Sequence, residues 1–360
     1  MMALVYGFKK VPLLSTEEII PVTQFSIVIP FRNEVENLPN LLKSIEKLNY
    51  PSGMFEIIFV NDASEDNSEA IVSEAIDRST FSIELIQNKR ISNSPKKDAI
   101  SEALKNSKFE WIVTTDADCE LSRNWLKTLD ATIQNNNPVM ICGPVIYKSN
   151  GSFIENFQQL DGLSLQAVTI GSFGFKNPLL SNGANLAYSK AAFLKVNGFS
   201  GNDHIASGDD IFLLEKMKKT FPKQVLFLKS KGSIVATKPQ NSWKNVINQR
   251  IRWASKTSKQ KNLASLLLGI LVLFTNISIL ALPIFMFFDP ENLFVYVSLL
   301  LFKIIADYLL LRQTAIFFNE KVMFWKFLWQ PFLYAIIVLI VAFGSIRGNY
   351  TWKGRTFKNP

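Results

Sequence analysis

Apolar positions follow two regimes along the chain. Up to about residue 240 they come in short blocks separated by polar, turn-rich links. FSIVIP (25–30), FEIIFVND (55–62), IELIQNK (83–89) and WIVTTDAD (111–118) are short runs rich in β-branched residues, the pattern of strands buried on both faces. Between them, ENLPNLLKSIEKL (36–48), SEAIVSEAIDR (68–78) and KKDAISEALKNS (96–107) place apolar residues at helical spacing. This alternation predicts a doubly wound, mainly parallel α/β sheet that binds ligands beyond the carboxyl ends of its strands. Residues 139–240 are more mixed. PVMICGPVIY reads as strand, SFIENFQQLDGLSLQAV as helix, and NPLLSNGANLAYSKAAFLKVNGF as loop, strand, helix and turn.

After residue 262 the runs lengthen to 263–288, 293–311 and 327–346, each close to the roughly 20 residues that cross a bilayer. Three in succession predict about three transmembrane helices. Lys244, Arg250, Arg252, Lys256, Lys259 and Lys261 precede the first run, the DPEN link carries no basic residue, and Arg312, Lys321 and Lys326 precede the third. That asymmetry predicts an inside, outside, inside order. The tail, with Arg347, Lys353, Arg355 and Lys358, then falls outside against the charge rule, unless one segment is re-entrant or interfacial. Pro283 and Pro331 mark the break points for that alternative. Within the second run, Lys303 and Asp307 sit four residues apart. They form either a self-neutralising pair or a polar contact to a headgroup or sugar. The expected divisions are an extension (1–22), an α/β domain (23–240), an interfacial amphipathic helix (241–262), membrane helices (263–347) and a basic tail (348–360).

Composition agrees with this split. The chain is 48% hydrophobic, too apolar for an ordinary soluble protein and too polar for a polytopic transporter. Its net charge of +9 suits nucleic acid, anionic lipid or a phosphate-bearing ligand. Because the basic residues gather beside apolar runs, membrane is expected and nucleic acid is not. Cys119 and Cys142 have no metal-ligand spacing, and the single His204 excludes a multi-histidine metal site. MMALVYGFKKVPLLS lacks the charged start and long apolar core of a signal peptide.

Four polar features carry candidate chemistry. Asp62 ends a predicted strand, where it can accept hydrogen bonds from a ribose or base edge or simply shape a turn. Asp116 and Asp118 flank Ala117; in an extended strand their side chains project the same way, and hard carboxylate oxygens there suit Mg²⁺ or Mn²⁺ held against a diphosphate. Asp209 and Asp210 open a helical pattern, as caps or with Asp210 as a general base. His204, six residues earlier, is a weaker candidate base. Gln249, Arg252 and Trp253 form Q-x-x-R-W on a helix, where an arginine can neutralise a leaving diphosphate and an indole can support a sugar ring. The same residues also suit a headgroup-level collar.

In order and spacing, Asp62, Asp116-Ala117-Asp118, Gly208-Asp209-Asp210 and Gln249–Trp253 resemble the family 2 glycosyltransferases with membrane-embedded C-termini, which include cellulose, chitin and hyaluronan synthases and ceramide glucosyltransferase-like enzymes. SIVIPFRNEVENL looks like the family's opening strand and nucleotide-binding turn through Pro30, Arg32, Asn33 and Glu34. SPKKDAISEAL resembles its lysine segment and points to Lys97 as a nucleotide-binding residue; SNGANLAYSKAAFLKVNGF resembles its acceptor-side segment through the Gly198-Phe199 turn and through Gly183 and Asn185, which would bind acceptor or diphosphate. The resemblance covers about residues 23–260. It implies a GT-A fold, inversion at the anomeric carbon and a nucleotide-diphosphate sugar donor, with a UDP-sugar favoured. Asp62 would bind the nucleoside, and Asp116 and Asp118 the diphosphate and metal, with Asp118 the more direct ligand. Asp210 would be the base, with Asp209 beside it, and Gln249, Arg252 and Trp253 would contact diphosphate and acceptor. The expected enzyme is an integral membrane hexosyltransferase with its catalytic domain at the cytoplasmic face, acting on a lipid or lipid-linked acceptor. Residues 1–22 hold only LVYGF and VPLL as apolar patches, so the N-terminal span of many members is not expected. With few spans a polymer channel is harder to build, so a processive synthase is the second reading. An inactive scaffold of the same fold is the third.

Overall fold

The computed structural model describes residues 2–14, 19–203, 205, 207–257, 262–322, 327–346, 349–353 and 355–358. His204, Lys259, Lys261, Lys326 and Arg347 lie outside the described residues. The chain begins with α1 (Met2–Lys10), β1 (Phe25–Phe31), α2 (Leu38–Ile45), β2 (Phe55–Asn61), α3 (Ser68–Arg78), β3 (Ser82–Gln87) and α4 (Pro95–Asn106). It continues through β4 (Trp111–Thr114), β5 (Cys119–Leu121), α5 (Trp125–Asn136), β6 (Met140–Cys142), β7 (Val145–Tyr147) and α6 (Phe153–Gly174). Next come β8 (Leu186–Ser189), α7 (Lys190–Lys195), α8 (Asp209–Thr220), β9 (Val225–Phe227), β10 (Val235–Thr237) and α9 (Trp243–Thr257). The apolar helices α10 (Leu263–Phe288), α11 (Leu293–Phe318) and α12 (Gln330–Ile346) follow, then a hairpin of β11 (Asn349–Trp352) and β12 (Arg355–Lys358).

These elements group into two compact units. The α/β unit comprises Val11–Lys148 and Phe175–Lys238; the helical unit comprises Met1–Lys10, Ser149–Gly174 and Pro239–Pro360. In the α/β unit seven strands run in the order β3-β2-β1-β4-β8-β6-β9. Neighbours are parallel except at β8, which is antiparallel to both β4 and β6. A second sheet has the order β5-β10-β7. The expected mainly parallel α/β sheet is therefore present. Its core includes Phe25, Ile27, Ile29, Ile57, Phe59, Val113 and Trp125, all buried. Each contributes on the order of 1.5–3 kcal/mol by leaving water.

The strand ends shape the ligand side. Val28 is the last β1 residue paired with β4, so Pro30 places its missing N–H where β4 has already ended. β4 itself stops at Thr114. Asp116 and Asp118 thus sit in the turn between β4 and β5, and not on an extended strand as their spacing suggested.

In the helical unit α1 packs on α6, where Gly171 and Gly174 let the backbones of Leu4 and Gly7 approach closely. Phe157, Val246 and Ile337 join α6, α9 and α12 in a small apolar core. Two helices, Leu263–Phe288 and Pro290–Phe318, are long and apolar enough to cross a membrane. The third apolar run forms a shorter helix of 17 residues, and Pro331 opens that helix without breaking it. Phe274, Phe287, Phe288, Phe294 and Phe302 are all exposed.

Candidate active site

The loop that follows β2 is held from two sides. Asp62 is buried, and its Oδ1 accepts from Asn88 Nδ2 at 2.8 Å and from Arg90 Nε at 2.7 Å. Arg32 does not project outward. Its Nη1 donates to the carbonyls of Asp62 and Ala63, and its Nη2 reaches Glu65 Oε1 at 2.7 Å. Asn33 adopts a left-handed φ of 52°, which lets its Oδ1 accept the Glu65 N–H at 2.8 Å. The Glu34 N–H donates to Ser68 Oγ at 2.7 Å, and Glu34 Oε2 accepts from Asn37. Pro30, Arg32, Asn33 and Glu34 therefore lie where they can shape the Asp62 loop. The sequence reading did not single out Asn88 or Arg90. Their signal was weak: Asn88 falls near the end of the predicted strand 83–89, and Arg90 directly follows it.

Asp116, Asp209 and Asp210 are gathered around one lysine. Lys96 Nζ lies 2.6 Å from Asp116 Oδ1 and 3.3 Å from Asp209 Oδ2. Burial alone would push the Lys96 amine down, but Asp116, then Asp209 and Asp210 outweigh it and raise it well above the ordinary lysine value. The adjacent Lys97 points elsewhere, donating to the carbonyls of Asn202 at 2.5 Å and Ile205 at 2.9 Å. Successive residues on a helix are about 100° apart, so a one-residue difference in reading KK decides which ammonium meets the carboxylates. Asp209 and Asp210 form the first turn of α8, which follows Gly208 in the left-handed region at φ 86°.

Several neighbours mark this cluster. A Cβ on Gly183 would stand 2.7 Å from Asp209 Oδ2 and 3.1 Å from Lys96 Nζ, so a side chain there would press on both. Thr114 Oγ1 fixes the Gly183 carbonyl at 2.7 Å. The Tyr188 hydroxyl and Ser207 Oγ are buried without a hydrogen-bond partner among the described residues. Burial, and then the negative charge of Asp209, raise the Tyr188 phenol above its usual value. Burial, then Asp210, do the same to the Cys142 thiol. Asn185 plays a different part. Its Nδ2 donates to the carbonyls of Pro144 and Ser233 at 2.8 Å each, and its Oδ1 accepts from Trp125 Nε1 at 2.9 Å. It is a buried brace of the scaffold around Gly183.

The carboxylates also suit a hard cation. Asp118 Oδ1 lies 3.7 Å from the Cys119 sulfur, and the Asp116 carbonyl accepts the Cys119 N–H at 3.2 Å, so the turn is tied at both residues. Burial, then Asp118 and Asp116, raise the Cys119 thiol. Asp116 Oδ1 already receives a cationic group, the Lys96 ammonium, and its side chain is 38% exposed. Among the described residues no three His, Cys, Asp or Glu side chains gather into a metal cage. Mg²⁺ in nucleotide sites commonly uses one or two carboxylates and takes its remaining ligands from phosphates and water. Asp116 and Asp118 fit that kind of site.

Gln249, Arg252 and Trp253 stand on α9 in the helical unit. There the organising group is Arg250. Its Nε donates to Asp161 Oδ2 at 2.5 Å, its Nη1 to Gln249 Oε1 at 2.7 Å, and its guanidinium lies 4.2 Å from the centre of the Trp253 ring. Arg252 is half-buried, and its carbonyl accepts from Ser255 Oγ at 2.9 Å.

Comparison with known proteins bears on this arrangement. The model of glycosyl transferase family 2 matches residues 26–195, and that of glycosyl transferase family group 2 matches residues 111–348. Glycosyltransferase AglE of Haloferax volcanii is 24% identical over 191 residues, covering 52% of this chain and 58% of that protein. The undecaprenyl-phosphate 4-deoxy-4-formamido-L-arabinose transferase of Pseudomonas savastanoi pv. phaseolicola is 34% identical over 102 residues, 28% of this chain and 29% of that one. The matches thus span less than two thirds of either relative. Among solved structures, mannosyltransferase PcManGT from Pyrobaculum calidifontis, in complex with GDP-Man and Mn²⁺, superimposes with a TM-score of 0.57 at 15% identity. That alignment covers 96% of this chain and 94% of the other and shows a shared fold.

Proposed function

Because the chain belongs to glycosyl transferase family 2 and is a glycosyltransferase of GT-A fold, we propose that it is a membrane-bound inverting enzyme. It moves a sugar from a nucleoside diphosphate sugar, with a UDP-sugar favoured, to a hydroxyl of a lipid or lipid-linked acceptor. The observation that carries this reading is the pairing of Lys96 with both Asp116 and Asp209, next to Asp210, at the ligand side of the sheet. Two long apolar helices with exposed phenylalanines support the membrane placement, since a contiguous apolar surface of that kind is costly in water. The relative that acts on undecaprenyl phosphate supports a lipid-linked acceptor. The catalytic unit is placed at the cytoplasmic face on the charge pattern alone.

The roles follow from charge and reach. Asp62, oriented by Asn88 and Arg90, takes the nucleoside. Asp116 and Asp118 hold the diphosphate side, together with a Mg²⁺ or Mn²⁺ ion; the Mn²⁺ in the complex of the related fold supports that choice. When bound, the ion supplies positive charge against the diphosphate. Asp210 accepts the proton of the acceptor hydroxyl as its oxygen attacks the anomeric carbon. The bond to the diphosphate oxygen breaks on the opposite side, and Lys96 can neutralise the charge that develops there. Gln249, Arg252 and Trp253 are assigned diphosphate and acceptor roles on the resemblance of Q-x-x-R-W. That motif also favours a second reading, a processive polysaccharide synthase.

The test is a screen of purified protein for nucleoside diphosphate release from labelled sugar donors, with divalent metal and a panel of lipid acceptors. A single-sugar glycolipid is the expected product. A long ladder would replace the first reading with the processive one, and no turnover with any donor would count against both.

A further inference from the structure

The two lysines that open α4 serve different neighbours. Lys96 faces Asp116 and Asp209. Lys97 is buried, with its ammonium on the carbonyls of Asn202 and Ile205 and 5.1 Å from the centre of the Phe212 ring. Those carbonyls belong to the segment that runs into Gly208 and the first turn of α8, where Asp209 and Asp210 sit. Phe212 lies on the same helix, two residues beyond Asp210. One turn of α4 therefore grips the stretch that leads into α8 at the Asp209 carboxylate, at two backbone carbonyls and at an aromatic face.

The segment is also held from its other end. Lys216, on α8, donates to the carbonyls of Gly198 and Ser200 at 2.7 Å each. Gly198 and Gly201 take φ values of 43° and 82°, so the backbone turns sharply in a region that favours glycine. Turn bonds from the N–H groups of Ser200, Asn202 and Ile205 hold part of this bend, and the side-chain donors Lys97 and Lys216 add to them at its carbonyls. Burying an ammonium for that purpose is expensive, and an apolar chain of the same length would fill the space at lower desolvation cost. What the ammonium adds is direction: two carbonyls are pinned to the helix turn that also carries Lys96.

We propose that Lys97 is a positioning residue that sets Asp209 and Asp210 against the donor-side carboxylates by anchoring Asn202 and Ile205, without touching either substrate. The inference rests on the glycosyl-transfer reading above, because that reaction needs Asp210 at a fixed distance from the anomeric carbon. It also separates Lys97 from nucleotide binding, the role its motif suggested.

Lys97→Met keeps chain length and removes the ammonium, while Lys97→Arg keeps a cation with several donors. Both are compared with the full-length protein by steady-state nucleotide release and by hydrogen exchange of the peptide covering 198–208. Expected for Lys97→Met is a kcat lower by about 100-fold, the scale of an ångström-level misplacement. The donor KM should stay within about twofold, exchange in 198–208 should be faster, and Lys97→Arg should recover most of both losses. A wild-type kcat in Lys97→Met overturns the proposal. So does a raised donor KM at unchanged kcat, which would make Lys97 a nucleotide ligand. Should Lys97→Met not fold, Lys97→Gln carries the same expected directions and the same refutations. If the wild-type protein turns over no donor at all, the glycosyl-transfer reading fails, and the exchange comparison alone decides whether Lys97 orders the segment.

Discussion

In the α/β unit, Lys96 faces Asp116, Asp209 and Asp210 just beyond the ends of the strands, and the Asp116 side chain is 38% exposed. In the helical unit, Arg250 meets Asp161 at 2.5 Å, and those side chains are only 9% and 5% exposed. Both groups pair a cation with carboxylate, and both come from motifs that look functional in the sequence. They differ in stoichiometry and in access to solvent. One ammonium paired with Asp116 and Asp209, with the charge of Asp210 added, leaves a group rich in acceptor oxygens, as a site for a metal and a diphosphate requires. A buried ion pair, backed by Gln249 and the Trp253 ring, is suited to holding helices α6 and α9 together. Removing a carboxylate should therefore cost turnover in the first group and stability in the second.

The largest effect is expected at Asp210. If it takes the proton of an acceptor hydroxyl, Asp210→Asn should lower kcat by roughly 10²–10⁴-fold, the usual contribution of a placed base. Folding should be unaffected, because the amide keeps the shape of the carboxylate. The variant also discriminates between acceptor classes. A phosphate monoester, with a second pKa of about 6, is already ionised at neutral pH and needs no base to attack. A loss below about tenfold would therefore point to a phosphate acceptor and remove Asp210 from proton transfer.

Asp161→Asn tests the other side of the comparison. It leaves the Arg250 guanidinium buried without its carboxylate, and breaking such a pair typically costs about 3–5 kcal/mol. Thermal unfolding in detergent should show a clear drop in midpoint, while turnover per folded molecule changes far less than in Asp210→Asn. If Asp161→Asn keeps its stability and loses turnover, the Arg250 group is part of the active site and the contrast between the units fails.

Much of this was legible in the chain itself because burial writes a periodic pattern. The parallel strands β1, β2 and β3 appear as β-branched runs, and α10 was bounded to the residue by its apolar stretch. Legibility failed where partners come from far away. Nothing local separates Lys96 from Lys97; their fates are set by Asp116 and Asp209 on one side and by Asn202 and Ile205 on the other. Asn185 looked like an acceptor ligand because its motif places it near Gly183. Its side chain instead braces Pro144, Ser233 and Trp125, three segments no local window contains. Arg250 stands beside the three residues of Q-x-x-R-W taken as functional, and only the return of α6 with Asp161 reveals its partner. The Asp116 turn was misread as strand because β4 ends by losing a neighbour, and pairing leaves no mark in one strand's own sequence.

The smallest effect is a predicted absence of change, and its sign can be worked out. Burial of Lys96 favours the neutral amine, but Asp116, Asp209 and Asp210 together outweigh it, so the folded value lies above the unfolded one near 10.4. A raised lysine contributes its stabilisation fully below the unfolded value and loses it only as pH climbs through the higher folded value. The stability difference between wild type and Lys96→Met should therefore stay constant from about pH 6 to pH 9, a window well below both values. Unfolding midpoints of the two proteins across that range provide the check. A gap that narrows toward pH 9 would mean that Lys96 sheds its proton there and that burial, not the carboxylates, dominates its surroundings. The cluster would then be closer in kind to a sealed structural pair, and the distinction drawn between Lys96 and Arg250 would lose its physical basis. A flat gap leaves any dependence of turnover on pH in this range to groups other than Lys96.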